Sequence, residues 1–460
     1  MAQTIGFYGA AETVTGSRHL LNVGKHTILV DCGLFQGNKE LRQRNWQDLP
    51  IPPQEIDAVV ITHAHLDHVG WLPRLVKEGY RGPIYATPAT IELARISLPD
   101  SGRLQEEDAR YSNKHHSSHN PDLPLYDEKD AYECLKFFKP VSYNQLHELP
   151  GHSHLRFMPA GHILGSAFAD ITFEDGTNIL MSGDLGRYNT PIIKDPTHVE
   201  AADYLVIEST YGDRLHSHED PLDKICSIVN ETMKAGGTLL IPSFAIGRTQ
   251  ELLYYFRVLQ DQGRLPRIPV YIDSPMAVSV TRVYAAAHED LDEEMLASVA
   301  AGKSELEPEG VTLVRDRELS KALNSQKGPL VIISGSGMAN GGRITHHLQQ
   351  RLGIPSTTVL FTGYQAEGTL GRRLIEGAES VHIHGVEIDV RARIEKVNAL
   401  SAHADQAEMM RWLGGFKKAP KQTFIVHGEP PAQAALQKKI EEELGWSTVI
   451  PTQGEEFTLA

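Results

Sequence analysis

The chain has 460 residues, of which 41% are hydrophobic and 22% charged, and this ordinary globular composition excludes a fibrous or intrinsically disordered protein. Lys and Arg total 44 against 59 Asp and Glu, so the formal charge of −15 argues against strong non-specific binding to long nucleic-acid duplexes. No apolar run reaches the about 18 residues that a membrane-spanning helix needs, so no membrane association is expected.

The three cysteines, Cys32, Cys134 and Cys226, are few and widely separated. Such a set predicts reduced thiols in a cytoplasmic protein, and neither a disulfide framework nor a cysteine-based zinc site. The first residues, MAQTIGFYGAAETVTGS, lack the basic start and long apolar centre of a secretory signal, which agrees with a cytoplasmic location.

The first half of the chain alternates short β-branched runs with turns, which predicts buried strands. These runs are HTILVDCG, DAVVITHAHLDH, HLRFMPAGH, AFADITF, NILMSGDLG and DYLVIEST. Asp31, His63, Asp184 and Glu208 follow the apolar residues of their runs. We therefore expect them at the carboxyl ends of strands, where α/β layers usually place their functional sites.

Segment 97–155 differs from its surroundings because it is polar, contains proline and includes the histidine-rich stretch KHHSSHNPDLP. We predict a helix followed by an irregular excursion here. Its His115, His116 and His119 are expected in a solvated loop, with a separate metal site as the alternative.

After Glu208 the pattern changes to strand, Gly-rich loop and helix, which predicts a doubly wound α/β unit over about 209–392. The segments with this plan are TLLIPSFAIGRTQELLYYFRVLQ, VYIDSPMAVSVTRVYAAA, PLVIISGSGMANGGRITHHLQQRL and TTVLFTGYQAEGTLGRRLIEG. An acidic helical stretch is expected near 288–310. Motifs typical of a functional site return from about 393, so we predict one domain, 1–208 plus 393–460, interrupted by a second at 209–392.

Two motifs near the end of the chain add further histidines. In VNALSAHADQAEMMRWLGG, His403 precedes a predicted helix that Asp405 can cap. In QTFIVHGEPPAQAALQKKIEEEL, His427 ends a predicted strand, and Pro430 and Pro431 open the helix that follows.

The strongest chemical signal is THAHLDH at 62–68, which holds three imidazoles and a carboxylate within six residues. Such ligands suit borderline-soft divalent metals. His63 and His65 can face one metal, while Asp67 and His68 fall on the next turn and can face a second. The alternative is a polar loop that merely begins a helix.

This motif alone supplies too few ligands for two metals, and other strand ends offer the remainder. His162 in PAGHILGS and Asp184 in MSGDLGR lie in Gly-flanked turns, and His427 lies in IVHGE. Each alone is more typical of an ordinary turn. Together they complete two coordination shells, with Asp184 as the natural bridge.

Six features follow one another along nearly the whole chain: HAHLDH, His162, Asp184, ESTYG, SAHAD and the closing HGE. In this order they resemble the metallo-β-lactamase fold of the β-CASP nuclease family. The resemblance implies a metallo-β-lactamase αββα sandwich with an inserted doubly wound α/β (β-CASP) domain. It implies two Zn²⁺ ions per chain. One is expected on His63, His65 and His162, and the other on Asp67, His68 and His427, with Asp184 shared.

The resemblance also implies roles for residues beside the metals. Asp31 is expected to support the metal loop without ligating, and Glu208 and His403 match motifs peculiar to the nucleases. His427 resembles the RNA-directed members, since the DNA-repair branch has an aliphatic residue there. These matches imply a compact ribonuclease whose substrate is RNA, and we expect that RNA to be single-stranded. A homodimer is compatible with the same matches.

The chemistry predicts how such a site would act. Two close metals lower the pKa of a bridging water and create hydroxide, which attacks phosphorus in line while the metals neutralise charge. Asp67, His403 and Glu208 are the expected catalytic residues, with His403 as general acid and Glu208 orienting it. The expected products carry a 5′-phosphate and a 3′-hydroxyl. The alternative for His403 is a helix-cap neighbour without chemical duty.

The Gly-rich loops GSGMANGGR and TGYQAEGTLGR lack the GK[ST] of a Walker A loop. They nevertheless place backbone N–H groups and an Arg at helix starts, an arrangement that suits RNA phosphates. Candidate phosphate-binding residues are Ser243, Ser334, Arg343, Arg373 and Ser401. The alternative is tight-turn glycine and solvent-facing Arg.

Three functions are compatible with these motifs: a zinc-dependent ribonuclease, a small-molecule hydrolase of the same metal fold, and a catalytically silent RNA-binding subunit. ESTYG, SAHAD and the insertion disfavour the second, and the complete ligand set disfavours the third. A DNA-directed nuclease is a variant of the first.

Overall fold

The computed structural model describes residues 3–115, 123–217, 219–302, 306–397 and 400–459. Its strands are β1 (Gln3–Phe7), β2 (His19–Val23), β3 (His26–Val30), β4 (Ala58–Val60), β5 (Ile84–Ala86), β6 (Phe138–Pro140), β7 (Leu146–Leu149), β8 (Ser153–Pro159), β9 (Ala167–Thr172), β10 (Asn178–Met181), β11 (Tyr204–Glu208), β12 (Thr238–Pro242), β13 (Val270–Ile272), β14 (Val311–Leu313), β15 (Leu330–Ser334), β16 (Thr358–Phe361), β17 (Ser380–Ile383), β18 (Val386–Asp389), β19 (Arg393–Lys396), β20 (Gln422–Val426), β21 (Thr448–Val449) and β22 (Glu455–Leu459).

The helices are α1 (Lys39–Gln43), α2 (Leu66–Val69), α3 (Leu72–Lys77), α4 (Pro88–His115), α5 (Glu128–Cys134), α6 (Pro221–Lys234), α7 (Arg248–Asp261), α8 (Pro275–Ala286), α9 (Glu293–Ala300), α10 (Arg317–Ser325), α11 (Arg343–Arg351), α12 (Leu370–Ile375), α13 (Gln406–Leu413) and α14 (Pro430–Leu444). Within the described ranges, none of these helices combines the length and the apolarity that crossing a bilayer requires. The alternative metal site at His115, His116 and His119 falls outside the residues whose side chains are described.

The chain divides into two compact units. The first comprises Met1–Thr190, Lys194–Leu215 and His403–Ala460, and the second comprises Pro191–Ile193 and His216–Ala402. The sequence places the second junction at 392/393, ahead of the junction in the structure. The reason is β19, which pairs in parallel with β16 and so extends the sheet of the second unit.

Two seven-stranded sheets form the centre of the first unit, in the orders β22-β1-β2-β3-β4-β5-β6 and β21-β20-β11-β10-β9-β8-β7. Apolar residues of both sheets, among them Val60 and Phe157, share one buried cluster, so the sheets pack face to face. Helices α3, α4 and α5 contribute to a cluster on the outer face of one sheet. Helices α13 and α14 cover the other through residues such as Trp412 and Leu436. This layering confirms the predicted αββα sandwich.

Strand β11 shows why such a layer buries every residue. Successive side chains of a strand point to opposite faces. Accordingly, Val206 joins the cluster between the sheets. Leu205 and Ile207 join the cluster beneath α13 and α14. The strand ends at Glu208, which is also fully buried, and this places a carboxylate at the edge where the functional residues meet.

The second unit contains a parallel six-stranded sheet in the order β14-β13-β15-β12-β16-β19, with a separate hairpin of β17 and β18. Both faces of the sheet are covered: Leu239 and Ile241 face one apolar cluster, and Leu240 faces the other. Parallel sheets are usually buried on both sides in this way. The predicted doubly wound α/β unit is confirmed, and α9 lies within the predicted acidic helical stretch.

Segment 97–155 is more regular than predicted. It contains most of α4, all of α5 and the short strands β6 and β7. Strand β6 pairs in parallel with β5, and β7 pairs antiparallel with β8. Two of the three residues of β6 and two of the four of β7 are exposed, so neither strand shows the apolar run that marks a buried strand.

Candidate metal centre

The HAHLDH loop is held by a carboxylate from the neighbouring strand. Asp31 follows β3, and its Oδ1 accepts a hydrogen bond of 2.8 Å from the backbone N–H of Thr62. Its Oδ2 accepts one of 2.8 Å from the Thr62 hydroxyl and lies 2.7 Å from Nδ1 of His68. Asp31 adopts a left-handed backbone with φ of 58°, which is uncommon outside glycine and typical of functional turns. Asp31 thus contacts Thr62 at the start of the loop and His68 at its end.

One donor set consists of three histidines and a carboxylate. Nδ1 of His65 lies 3.1 Å from Nε2 of His63 and 3.1 Å from Nε2 of His162. Both Nε2 atoms lie 3.4 Å from Oδ2 of Asp184. One donor atom from each of the four residues lies within 4.8 Å of the others. Residues from three separate turns thus present a compact site for one cation.

A second donor set shares the same aspartate. Nε2 of His68 lies 3.3 Å from Nε2 of His427 and 3.2 Å from Oδ1 of Asp184. Oδ2 of Asp67 lies 3.4 Å from Nε2 of His427. Because the two sets use different oxygens of Asp184, this carboxylate stands between them in the arrangement of a bridge.

The donor atoms of both sets are better explained as ligands of divalent cations than as hydrogen-bond partners of one another. Both carboxylate oxygens of Asp184 are buried and accept no hydrogen bond. Buried polar atoms are normally satisfied, and an exception calls for a partner such as an ion. Imidazole nitrogens with carboxylate oxygens are the ligand set of zinc and similar metals.

The electrostatics of the first donor set keep its three histidines in the neutral form. Burial, reinforced by the neighbouring histidine His63, lowers the pKa of His65 to about 3. Burial likewise lowers the pKa of His63 and His162. Burial alone would raise the pKa of Asp184, but His427 and the other histidines hold it well below the ordinary value. Neutral imidazoles and an ionised carboxylate are the forms that coordinate metals.

His403 and Glu208 form a pair beside the two donor sets. Nδ1 of His403 lies 2.9 Å and 3.1 Å from the two carboxylate oxygens of Glu208. Glu208 also accepts hydrogen bonds from the backbone N–H groups of Leu185 and Thr210, at 2.7 Å and 3.2 Å. Burial lowers the pKa of His403, but Glu208 and Asp184 outweigh burial and raise it to about 9 in the absence of cations. Glu208 therefore holds the His403 imidazole at Nδ1 and favours its protonated form.

Sequence reasoning missed three hydroxyl groups at the site. The Thr62 hydroxyl lies 3.2 Å from Nδ1 of His63, and the Thr210 hydroxyl lies 3.1 Å from Nδ1 of His427. Such contacts fix the orientation of a ligating ring. Thr62 adjoins HAHLDH and Thr210 belongs to ESTYG, so both motifs carried a signal. Ser17, 3.4 Å from Nε2 of His68, had none because it comes from a distant turn.

The five candidate phosphate-binding residues lie in the second unit. Ser243 and Ser334 are buried, and their hydroxyls bond to Thr249 and to the carbonyl of Asp273. Arg343 pairs with Asp273 at 2.7 Å. Arg373 is exposed and Ser401 is buried. Ser243, Ser334 and Arg343 thus hold loops of this unit together, and contact of any of the five with RNA stays a prediction.

Three family models match consecutive parts of the chain. Residues 20–185 match a metallo-beta-lactamase superfamily domain. Residues 249–374 match a Beta-Casp domain. Residues 387–451 match a Zn-dependent metallo-hydrolase RNA specificity domain.

Individual proteins resemble the chain over most of its length. A protein named as a ribonuclease from Thermus thermophilus is 40% identical over 98% of this chain and 97% of its own. A transcription termination factor from Methanosarcina mazei is 29% identical over 95% of this chain and 68% of its own. A crystal structure of an Enterococcus faecalis protein of unknown function covers both chains completely with a TM-score of 0.55 at 13% identity, a likeness of fold alone.

Proposed function

The chain belongs to the β-CASP ribonuclease family of the metallo-β-lactamase superfamily, and from this premise we propose that it is a zinc-dependent ribonuclease that hydrolyses single-stranded RNA. Its products carry a 5′-phosphate and a 3′-hydroxyl. Three free cysteines fit a reducing compartment such as the cytoplasm.

The observation that carries this proposal is the position of Asp184. Its Oδ2 lies 3.4 Å from Nε2 of His63 and its Oδ1 lies 3.2 Å from Nε2 of His68, so one buried carboxylate joins two donor sets. Two cations a few ångströms apart are the arrangement used for in-line displacement at phosphorus.

The candidate ligands form two groups, each of which would bind one metal ion. His63, His65 and His162 would hold one Zn²⁺, and Asp67, His68 and His427 the other, with Asp184 between them. Bound there, the two cations would supply an activated water and neutralise negative charge on the phosphate oxygens. They would also offset the net charge of −15 locally, where an RNA phosphate must approach.

His403 delivers the proton that the leaving group needs. When the bond between phosphorus and the 3′ oxygen breaks, that oxygen takes up a proton from Nε2 of His403, because Nδ1 is held by Glu208. Glu208 keeps the imidazole protonated and oriented. This step leaves a 3′-hydroxyl on one fragment, and the oxygen of the attacking water becomes part of a 5′-phosphate on the other.

A second candidate concerns which RNA is cut. The similarity to a transcription termination factor favours nascent transcripts as a substrate, and this chain spans 68% of that relative's length. Cleavage of RNA emerging from a stalled transcription complex, compared with free RNA of the same sequence, tests this candidate. Equal rates on both would remove it.

The main test measures metal content and cleavage together. Zinc-loaded protein and its His403→Ala variant are incubated with the same single-stranded RNA labelled at the 5′ or the 3′ end, and with matched single-stranded DNA. The expected result is RNA cleavage by the unaltered protein, little cleavage of DNA, and loss of cleavage with retained zinc in the variant. Equal cleavage of DNA would overturn RNA selectivity. Hydrolysis of small esters without cleavage of RNA would favour the small-molecule hydrolase.

A further inference from the structure

The loop that follows Asp184 runs beside the segment that carries His403. The backbone N–H of Ala404 donates a hydrogen bond of 2.8 Å to the carbonyl of Leu185. Gly186 and His403 form an antiparallel β-bridge. The position of the imidazole relative to Asp184 is therefore set by how these two short segments are held together.

One residue farther along, an ion pair joins the same two segments. Nε of Arg187 lies 3.4 Å and 3.3 Å from the two carboxylate oxygens of Glu408, in the first turn of α13. Both side chains are largely buried, with 19% and 18% of their surface exposed. Arg187 and Glu408 are 221 positions apart, so this contact is a product of the fold.

Glu408 has a second contact that links the ion pair to His403. Its Oε2 accepts a hydrogen bond of 3.0 Å from the backbone N–H of Asp405, two residues beyond His403. Asp405 in turn caps α13 by accepting from the N–H of Glu408 at 2.9 Å. One carboxylate thus connects Arg187, which follows the shared ligand Asp184, to the backbone that bears the imidazole.

We propose that Arg187 and Glu408 are positioning residues for proton delivery by His403, which they hold at a fixed distance from the Asp184 loop. The inference rests on the proposed acid role of His403. The proton itself moves from Nε2 of His403 to the leaving 3′ oxygen, and neither Arg187 nor Glu408 exchanges it.

The effect of the ion pair on the position of His403 can be separated from its effect on the stability of the fold. An ion pair that is still partly exposed to solvent contributes little to the stability of the fold. Helix α13 has other attachments, because the Gln406 side chain donates to the carbonyl of Gly212 at 2.6 Å and Trp412 is buried in the core. Breaking the ion pair therefore leaves the helix folded and loosens the segment that carries His403. A displacement of about 1 Å at a reacting group can cost about 100-fold in rate.

The test compares substrates that do and do not need a proton donor. RNA has an alkoxide leaving group that must be protonated, whereas bis(p-nitrophenyl) phosphate releases a stable phenolate. For Arg187→Met and for Glu408→Gln we expect kcat on RNA to fall by about 10- to 100-fold with KM unchanged. On the aryl ester both variants keep the kcat of the unaltered protein. Arg187→Lys, which keeps a cation at this position, recovers part of the rate on RNA.

Two controls make the outcome specific. Arg156→Met breaks an ion pair of 2.7 Å with Asp170 between paired strands of the same unit, and we expect unchanged rates on both substrates. His403→Ala must lose rate on RNA and keep rate on the aryl ester. Equal loss on both substrates, or no loss, would refute the acid role and with it the proposed mechanism.

The positioning proposal fails by itself if His403→Ala is selective for RNA while Arg187→Met and Glu408→Gln lose both activities equally or lose neither. A raised KM for RNA with unchanged kcat would instead assign Arg187 to binding phosphate and overturn the proposal. If Arg187→Met does not fold, Glu408→Gln decides the question, because an amide oxygen still accepts the hydrogen bond from Asp405.

Discussion

The Nδ1 atom of His403 lies 2.9 Å from one carboxylate oxygen of Glu208 and 3.1 Å from the other, and Glu208 has no exposed surface. Two backbone N–H groups hold the same carboxylate. A carboxylate fixed in this way favours the charged form of the imidazole. The state of His403 is therefore set by a residue 195 positions away.

Glu208→Gln is expected to shift the pH profile of RNA cleavage. Glu208 raises the pKa of His403, so removing its charge lowers that pKa. His403 then loses its proton at a lower pH, and the alkaline limb of the kcat profile moves toward acid. Measuring kcat on RNA across the pH range checks the direction. An alkaline limb that stays in place would show that His403 is not the group titrating there.

Asp184→Asn is expected to remove metal binding at both donor sets, because each set uses one oxygen of this carboxylate. Metal content after equilibration with Zn²⁺ should fall well below two ions per chain, and RNA cleavage should be lost. The matched control is Asp273→Asn in the second unit. Asp273 is equally buried and accepts hydrogen bonds from Ser320 and His347, so its variant should lose stability and keep its metal. Two tightly bound ions in Asp184→Asn would contradict the bridging role.

Asp31→Asn is expected to weaken metal binding by about 10- to 100-fold while leaving the fold intact, as for other groups that orient a ligating histidine. The charge of Asp31, 2.7 Å from Nδ1 of His68, fixes the ring and increases its basicity. Titration with Zn²⁺ against a competing chelator measures the change. Asp57→Asn, which alters the carboxylate bonded to Thr27 at the opposite end of β3, serves as control. Equal affinities in both variants would argue against the role of Asp31.

Gly33→Ala is expected to destabilise the first unit by about 1–3 kcal/mol, the usual range for overpacking. A Cβ atom at Gly33 would lie 1.6 Å from the backbone carbonyl oxygen of Asp67, so the metal loop must shift. We also expect lower zinc content, because Asp67 and His68 move together. Gly341→Ala is the control, since its Cβ would meet nothing within 4 Å. Chemical denaturation of both variants gives the comparison, and equal midpoints would exclude the clash.

The sequence by itself determined much of this protein because the signals were local. Short, continuous apolar runs predicted strands β3, β10 and β11, and the polar residues after them indicated the edge where Asp31, Asp184 and Glu208 lie. HAHLDH carries four candidate ligands within six residues. The sequence also predicted that Asp405 caps α13 and that two prolines open α14, since helix ends depend on a few neighbouring residues.

Only the tertiary structure decided which distant groups meet. Nothing near Arg187 in the chain indicates Glu408 as its partner, and nothing near Ser17 indicates His68. The same holds for Ser334, whose place in a Gly-rich loop suggested a ligand contact but whose hydroxyl is buried against Asp273. Burial and pairing of this kind arise when sheets and helices pack, so they depend on residues hundreds of positions apart and leave no local pattern.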